Sequence, residues 1–393
     1  MTMTATAPTA ALGRRSAAVA VTTLFALNGS LIGGMVGTLP AMRDRLGVDA
    51  SGISVLLFCL AGSAVISMQI GGRLADAIGA RTVALVTPPT LTAGVLVLSF
   101  AQSLPVAIVG GVLGGLGNGA MDVSMNALGV QVEKARPRPI MSFFHAFWSV
   151  GNLVGAGVIV LAGRLLGRSG ADVIQPALIT IAVLALVAYA GIFRVIPRAE
   201  RIEHRENGVR IKLPTLAWLL GLMAFAFGLT EGTAIDWSSI HVTDVAGIDP
   251  ARGALGLVAV SGCMVLIRLC GDRAVAAFGR QRVVQFGGVV AVIGYAVVVT
   301  AHPLPLLLLG WSLVGLGAGM IAPQVYAVAG HVGGGRMLAV VVTFGYAAFL
   351  VGPAIVGTLV SSFGVQHAMI LPLVLCGCLV ALSRVLPRAD AKQ

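Results

Sequence analysis

The chain has 393 residues, of which 57% are hydrophobic and only 10% are charged, and it contains 52 glycines. A soluble domain has about 25% charged residues and a smaller apolar share. This composition therefore excludes a soluble enzyme, a disordered chain and a nucleic-acid-binding module. The mean hydropathy of +0.97 agrees, and lipid is the expected solvent for most of the chain.

Twelve apolar runs are long enough to cross a membrane as helices, because about 20 residues span the hydrocarbon core. The runs are continuous, whereas a barrel strand alternates over about 10 residues. The pattern therefore predicts an all-α membrane protein with twelve transmembrane helices. In chain order the runs cover about residues 16–40, 51–72, 82–101, 104–130, 141–164, 173–194, 214–237, 252–272, 283–300, 304–330, 337–361 and 366–386.

The basic residues are distributed unevenly between the two sides of such an arrangement. With twelve crossings, 20 of the 26 Lys and Arg residues lie on the side of the N-terminus, Arg268 lies inside a run, and five lie opposite: Arg43, Arg45, Arg164, Arg168 and Arg252. Because Lys and Arg are retained in the cytoplasm, we predict a multi-pass protein of the bacterial inner membrane with both termini cytoplasmic. The net charge of +11 is then a topology signal.

The two halves of the sequence repeat each other at an offset of 200 residues. The shared features are Gly-x-Arg at 71–73 and 271–273, Leu-Pro at 104–105 and 304–305, and Gly-Leu-Gly-x-Gly at 115–119 and 315–319. We expect the repeated glycines to mark close helix packing. They lie in the middle of predicted helices, where a nucleotide-binding loop would not be found.

The longest polar stretch, residues 195–213, separates these two halves. The expected organisation is an N-terminal six-helix bundle over 1–194, a cytoplasmic linker over 195–213 and a C-terminal six-helix bundle over 214–393. Two parallel six-helix halves related by an axis along the membrane normal are a known transporter architecture.

The segment after the second run, residues 72–81, reads GRLADAIGAR and is expected to form a loop. It resembles the G-x-L-a-D-r-x-G-r-r signature of the major facilitator superfamily (MFS), with Ala77 and Ala80 at two basic positions. The second copy has Ala276 at the position of the Asp. The resemblance implies the MFS fold, with twelve helices in two six-helix pseudo-repeats, and secondary transport.

Three further segments are similar to fucose-permease-related bacterial transporters and an uncharacterised branch beside them. They are Asp122-Val-Ser-Met-Asn126, the stretch FHAFWSVG at 144–151, and Glu231-Gly-x-x-x-Asp236-Trp237. Fucose permease carries an acid on its first helix, where this chain has Asn28 and Ser30. The resemblance implies a small polar organic solute, sugar-like or similar, as the substrate.

Charged groups inside a bilayer are costly unless they face a cavity, so each is a functional candidate. Asp122 and Asn126 share a face of the fourth helix, and His145, Trp148, Ser149 and Asn152 form one stripe on the fifth. Asp122 and His145 are expected at similar depth. Two readings remain open: proton coupling through these groups, or a fixed Asp–His hydrogen bond that joins the two helices.

The seventh helix contributes two further acids. Glu231 is the deeper one, and with Asp122 and His145 it completes the predicted proton-coupling set. Asp236 and Trp237 either bind substrate or mark the membrane interface, where Trp is common. The remaining predicted substrate-binding residues are the polar groups of the interior, each of which could instead bond a neighbouring helix: Asn28, Asn126, Trp148, Asn152, Gln324 and Tyr346.

Charged residues near the cytoplasmic helix ends predict a gate. Asp76 and Arg81 lie in the first signature copy, and Arg268 and Asp272 are one helical turn apart in the second. We expect these four to hold the cytoplasmic ends together while the cavity opens outward. The alternative is an intrahelical Arg268–Asp272 pair without a gating role.

No motif predicts an enzyme, and we expect no catalytic residues, metal or cofactor, with the proton gradient as the energy source. The predicted function is a secondary active transporter that moves a small polar organic solute by proton-coupled alternating access. Its expected partners are the solute, protons and lipid, without nucleic acid, and the expected state is a monomer. The alternative is a proton-driven efflux antiporter of drugs or metabolites. Residues 149–157 lack the Gly-Pro that is frequent in the fifth helix of such antiporters.

Overall fold

The computed structural model describes residues 7–136, 140–197 and 214–387. Within these ranges the chain is helical throughout, without a strand. Two 3₁₀ helices cover Gly170–Val173 and Ser383–Val385, and the α-helices are Ala7–Gly37, Leu39–Leu46, Ala50–Ile78, Ala80–Phe100, Leu104–Lys134, Met141–Leu165, Ile174–Ile192, Thr215–Ala246, Pro250–Gly253, Leu255–Phe278, Arg280–Thr300, Leu304–Ala318, Ile321–Phe363, Val365–Ala368 and Ile370–Leu382.

Twelve helical segments in the described part of the chain are long and apolar enough to cross a membrane, which agrees with the number of predicted runs. We number them span 1 to span 12 in chain order: Arg15–Gly37, Ala50–Ile78, Ala80–Phe100, Leu104–Lys134, Met141–Leu165, Gly170–Ile192, Thr215–Ala246, Pro250–Gly271, Arg280–Thr300, Leu304–Val332, Val340–Phe363 and Val365–Val385.

The predicted loop over residues 72–81 is wrong. Spans 2 and 3 are separated by a single residue outside the helices, Gly79, which has a φ of 95°. The charged residues of the signature therefore extend the helices, and the reversal of direction depends on a backbone conformation that glycine adopts without steric cost.

Span 7 also continues past its predicted end at 237 as far as Ala246. The predicted linker lies almost entirely outside the described residues, as do the side chain of Asp272 and that of Arg336.

Helix packing repeats between the two halves. In the first half, span 1 packs against span 5, span 2 against span 4, and span 3 against spans 4 and 6. In the second half the equivalent pairs are span 7 with span 11, span 8 with span 10, and span 9 with spans 10 and 12. The halves meet through span 2 with span 11 and span 5 with span 8. These two contacts are equivalent under exchange of the halves, as expected for an axis along the membrane normal.

The repeated glycines lie where helices approach most closely, as predicted. A Cβ added to Gly117 would overlap the backbone of Leu91, and one added to Gly317 would overlap the backbone of Gly287 and Ala291. Span 4 therefore contacts span 3 in the same way that span 10 contacts span 9. Small residues at such contacts let helix backbones approach within a membrane, where van der Waals packing carries much of the association.

The helix starts opposite the termini also repeat. Gly47 and Gly247 both have a φ of 62°, and each is followed two residues later by an aspartate that caps the next helix. Asp49 accepts from the backbone N–H groups of Ser51 and Gly52. The pKa of Asp49 lies below its ordinary value, chiefly because the Ser51 hydroxyl donates to its carboxylate.

The outer surface of the helix bundle is apolar. Phe286, Val187 and Leu266 are among many large hydrophobic side chains that are more than half exposed. A soluble protein of this size would bury such residues, so the exposed surface fits a lipid environment.

We expect Gly117→Ala to destabilise the protein, because its methyl group meets the backbone of span 3. Overpacking of this kind costs about 1–3 kcal/mol, which outweighs the roughly 1 kcal/mol that alanine gains over glycine in a helix. Gly157→Ala is the matched control, since a Cβ there has nothing within 4 Å. Thermal unfolding in detergent should show a lower midpoint for Gly117→Ala and not for Gly157→Ala. Equal midpoints would contradict the packing argument.

Candidate functional site

A buried ion pair lies between the halves. Arg268 of span 8 is 8% exposed, and its Nη2 donates to Oε1 of Glu231 on span 7 at 2.7 Å. Nη1 donates to the Ser149 hydroxyl of span 5 at 2.6 Å. The Nε group donates to the Gly319 carbonyl at 3.2 Å. One guanidinium thus connects three other helices, and the Ser149 contact crosses from the second half to the first.

The structure gives Arg268 a partner that the predicted gate did not include, and the gate itself stays a prediction. The ion-pair partner of Arg268 is Glu231 in the interior, because a buried guanidinium needs a buried counter-charge. Arg81 donates from Nη2 to the backbone carbonyl of Arg194 at 3.4 Å, at the end of span 6 in its own half. Asp76 is exposed, and the side chain of Asp272 lies outside the described residues.

A second polar cluster joins spans 1, 4 and 5. Asn28 is 1% exposed, its Nδ2 donates to Oδ1 of Asn118 at 2.9 Å, and its Oδ1 accepts from the Trp148 indole N–H at 2.8 Å. Both ends of the Asn28 amide are therefore in use. Asn28 positions the Trp148 ring and the Asn118 amide, while those two side chains are only partly buried.

Sequence reasoning missed Asn118. The signal was present, because Asn118, Asp122 and Asn126 are spaced i, i+4, i+8 and lie on one face of span 4. By itself, a single polar residue at position 118 inside a glycine-rich run is a weak signal of function. Its importance comes from Asn28, which is 90 residues away in sequence.

Asp122 lies at the boundary between the halves. Its Oδ1 accepts from Nδ2 of Asn126 at 3.1 Å, and its Oδ2 accepts from the Tyr346 hydroxyl of span 11 at 3.4 Å. Tyr346 belongs to the second half. Asn126 and Tyr346, both predicted to bind substrate, thus contact Asp122, the predicted proton-coupling acid.

The alternative of a fixed Asp122–His145 hydrogen bond is wrong for this structure, within the residues it describes. The His145 ring packs edge-on against Phe25 with 5.2 Å between ring centroids. The Asp122 carboxylate instead contacts Asn126 and Tyr346. Similar depth on adjacent helices did not bring the two groups together, because their helix faces point to different neighbours.

The other predicted binding residues are distributed around these clusters. Asn152 donates to the Trp148 carbonyl at 3.2 Å, and its Oδ1 is buried without a partner in the described part of the chain. Gln324 is buried in span 10. Trp237 is 1% exposed, so its ring packs inside the protein. Asp236 and Trp237 both line a small cavity between spans 7 and 11.

A polar contact closes the face opposite the termini. Arg43 of the short helix Leu39–Leu46 binds the carboxylate of Asp244 through two hydrogen bonds of 2.7 and 2.6 Å. The hydrogen bonds to Asp244 raise the pKa of Arg43 above its ordinary value. Nearby, the Gly170 N–H donates to Asp249 at 3.0 Å. Both contacts join the first half to the second, and sequence reasoning assigned a role to neither.

Acids, amides and one cation line the interface between two pseudo-equivalent halves inside the membrane. The described residues contain no group of three His, Cys, Asp or Glu side chains suited to a metal ion.

Comparison with known proteins agrees with the fold. The profile of the Major Facilitator Superfamily matches residues 19–331. The chain belongs to the Major Facilitator Superfamily. This membership confirms the predicted family and its fold of twelve membrane-spanning helices, and relatives with transporter names indicate transport and not catalysis.

Three curated relatives cover most of this chain. A transporter of Sinorhizobium fredii named y4wD, described as uncharacterized, is 34% identical over 85% of this chain and 89% of its own length. An uncharacterized MFS-type transporter of Yersinia pestis is 29% identical over 81% of this chain and 82% of its own length. The membrane protein MosC of Rhizobium meliloti is 25% identical over 95% and 90%.

A solved structure supports the architecture. The crystal structure of a mutant of the nucleoside transporter NupG superposes with a TM-score of 0.71 over 93% of this chain and 97% of its own, at 13% sequence identity. At that identity the likeness shows the fold alone.

We expect Glu231→Gln to destabilise the MFS protein by about 3–5 kcal/mol, because the buried Arg268 guanidinium loses its counter-charge. Arg268→Gln should cost a similar amount by leaving Glu231 unpaired. The double variant should be more stable than the sum of the two losses predicts, which thermal unfolding in detergent measures. Additive losses would show that the two side chains do not act as a pair.

We expect Arg43→Gln to loosen the face opposite the termini. Amide hydrogen exchange should increase in both Leu39–Leu46 and Pro250–Gly253, because the link between the halves is lost. Arg45→Gln is the matched control, since Arg45 donates to the Ser99 and Ala171 carbonyls of its own half. Unchanged exchange in Pro250–Gly253 for Arg43→Gln would contradict a latch between the halves.

Proposed function

We propose that this MFS protein moves a small polar organic solute across the bacterial cytoplasmic membrane by proton-coupled alternating access. The observation that supports it best is the position of Asp122. Its carboxylate lies inside the membrane-spanning region, at the boundary between the halves, and contacts Tyr346 of the opposite half. Relative movement of the halves would change the surroundings of this carboxylate, and coupling requires such a difference between states.

Among the buried acids, Asp122 is better suited than Glu231 to carry the proton. Protonation of Glu231 would leave the buried Arg268 without a counter-charge, which is strongly unfavourable. Within the described parts of the chain, the Asp122 carboxylate contacts two neutral side chains, those of Asn126 and Tyr346. It can therefore take up and release a proton without stranding a cation. His145 on span 5 is the second group that we propose for this step, because an imidazole can change its charge near neutral pH.

The interior favours a hydrogen-bonding solute that contains a ring. Nδ2 of Asn118 is a donor that Asn28 does not use, and Oδ1 of Asn152 is an acceptor without a partner in the described residues. The Trp148 ring, fixed by Asn28, offers a flat surface for a sugar-like ring. Hydrogen-bonding groups around an aromatic ring fit a polar solute better than an apolar drug.

The excess of Lys and Arg on the side of the termini suggests on which side of the membrane the closed face lies. With both termini in the cytoplasm, the contact between Arg43 and Asp244 lies on the outer side of the membrane. Under this proposed orientation, the contact closes the protein toward the outside. Proton binding at Asp122 and solute binding near Trp148 would take place on the cytoplasmic side of that closure.

The test begins with a ligand-stabilisation screen of the purified protein across sugars, amino acids and antibiotics. Asp122→Asn in proteoliposomes should abolish accumulation of the identified solute under a proton gradient, because the neutral amide carries no proton. Solute exchange without a gradient should remain measurable. His145→Gln should shift the pH dependence of transport without eliminating it.

Asp172→Asn is the control for these measurements, since Asp172 is an exposed acid outside the interior and its loss should change neither accumulation nor exchange. If Asp122→Asn accumulates solute as the parent does, the coupling site lies elsewhere. Stabilisation by antibiotics and not by sugars or amino acids would favour the efflux antiporter.

A further inference from the structure

A small cavity lies between spans 7 and 11. Its volume of about 10 Å³, the space open to the centre of a water molecule, is near the minimum that accommodates one water. An organic solute does not fit in it. The lining residues are Gly228, Leu229, Gly232, Thr233, Asp236, Trp237, Ala348, Phe349, Gly352 and Pro353.

Asp236 is the one ionisable side chain among these lining residues. Its carboxylate has no hydrogen-bond or ion-pair partner within the described ranges of the chain. It lies ten residues from the end of span 7 at Ala246, which is about 15 Å along a helix. An ionised carboxylate at such depth is unfavourable unless a proton or a cation accompanies it.

Two of the lining residues carry further oxygen atoms that can accept a hydrogen bond or coordinate a cation. Pro353 lies inside an unbroken helix and has no N–H to donate to the carbonyl of Phe349, four residues before it. The Thr233 hydroxyl donates its proton to the Leu229 carbonyl at 2.7 Å, so its lone pairs can still accept or coordinate. The lining residues therefore carry a carboxylate, a hydroxyl and a carbonyl that lacks its usual donor.

We propose that this cavity binds one small monovalent cation, held by the Asp236 carboxylate with the Thr233 hydroxyl and the Phe349 carbonyl. A single carboxylate offsets a single positive charge, and freed helix carbonyls coordinate Na⁺ or H⁺ in other transporters. The cation is either a sodium ion or a proton. A proton would be bound by the carboxylate, with room beside it for one water molecule. The site goes beyond the proposed function, because it is separate from Asp122 and exists whether or not the solute is identified.

Several other ionisable groups on span 7 and the elements packed against it have hydrogen-bond or ion-pair partners elsewhere. None of them lines the cavity, so none faces Asp236 there. The nearest by position in the fold and their partners are Glu231 with Arg268, Asp244 with Arg43, His241 with Trp311, Tyr295 with the Thr230 carbonyl, Cys376 with the Thr230 hydroxyl, Tyr346 with Asp122, and His367 with the Phe363 carbonyl.

The test uses the purified full chain without solute, so that its failure is distinguishable from failure of the proposed transport. Thermal unfolding is measured at pH 8 in sodium chloride and in choline chloride of equal ionic strength. If the cation is sodium, the parent midpoint should rise by several degrees in sodium, because a ligand of the folded state stabilises it. Asp236→Asn should lose that rise, and Asp172→Asn should keep it.

A second arm separates the proton from sodium. In choline chloride, a proton bound by the folded state makes stability fall as the pH rises. The parent should show that fall, and Asp236→Asn should show a smaller one, because Asp122 still contributes its own share. A sodium-dependent rise identifies a sodium site, and a pH effect without a sodium effect identifies a proton site. If Asp236→Asn matches the parent in both arms, the proposal is overturned.

Gly352→Ala keeps the test decisive if Asp236→Asn fails to fold. Gly352 is buried, and a Cβ there meets nothing within 4 Å, so the methyl group would occupy cavity space without a clash. It leaves every charge in place. Loss of the cation effect in Gly352→Ala supports the site, and an unchanged effect contradicts it.

Discussion

The guanidinium of Arg268 is the constraint on which the interior depends. A charge placed among apolar helices needs a counter-charge and a partner for its N–H groups. Glu231, Ser149 and Gly319 supply them from three helices. The charged partner belongs to the same half, whereas the partner in the opposite half is a neutral hydroxyl. The second half can therefore move as a unit with its ion pair intact and exchange only the Ser149 contact.

The acids of the interior differ in what surrounds them, and those surroundings suggest different tasks. Glu231 is paired with a cation and serves the structure. Among the residues that the structure describes, Asp122 contacts neutral groups, one of them from the other half, which suits a group that gains and loses a proton. Asp236 faces a cavity with room for one water molecule. Asp244, nearer the surface, joins Arg43 and closes one face of the protein.

Some residues repeat between the two halves, and the polar groups of the interior do not. Gly117 and Gly317, and Gly47 and Gly247, occupy the same places in their halves. The polar groups break this symmetry: Arg268 and Glu231 have no charged counterparts at positions 68 and 31, which are Met68 and Leu31. The repeated residues build two similar bundles, and the unmatched polar residues give the interface between them its chemistry.

The sequence by itself determined the fold class, because lipid as a solvent demands about 20 apolar residues per crossing and the chain contains twelve such runs. It also determined the repeat and the family. Both depend on short motifs, such as residues 115–119 and 72–81, whose members are close together along the chain. Only the tertiary structure decided the partners of the interior groups. Asn28 meets Asn118 and Trp148, Asp122 meets Tyr346 instead of His145, and Arg268 meets Glu231. These pairs depend on the rotation of each helix about its axis, and packing against all neighbours at once sets that rotation. A local sequence pattern gives the face of a helix, but not the helix that this face will meet.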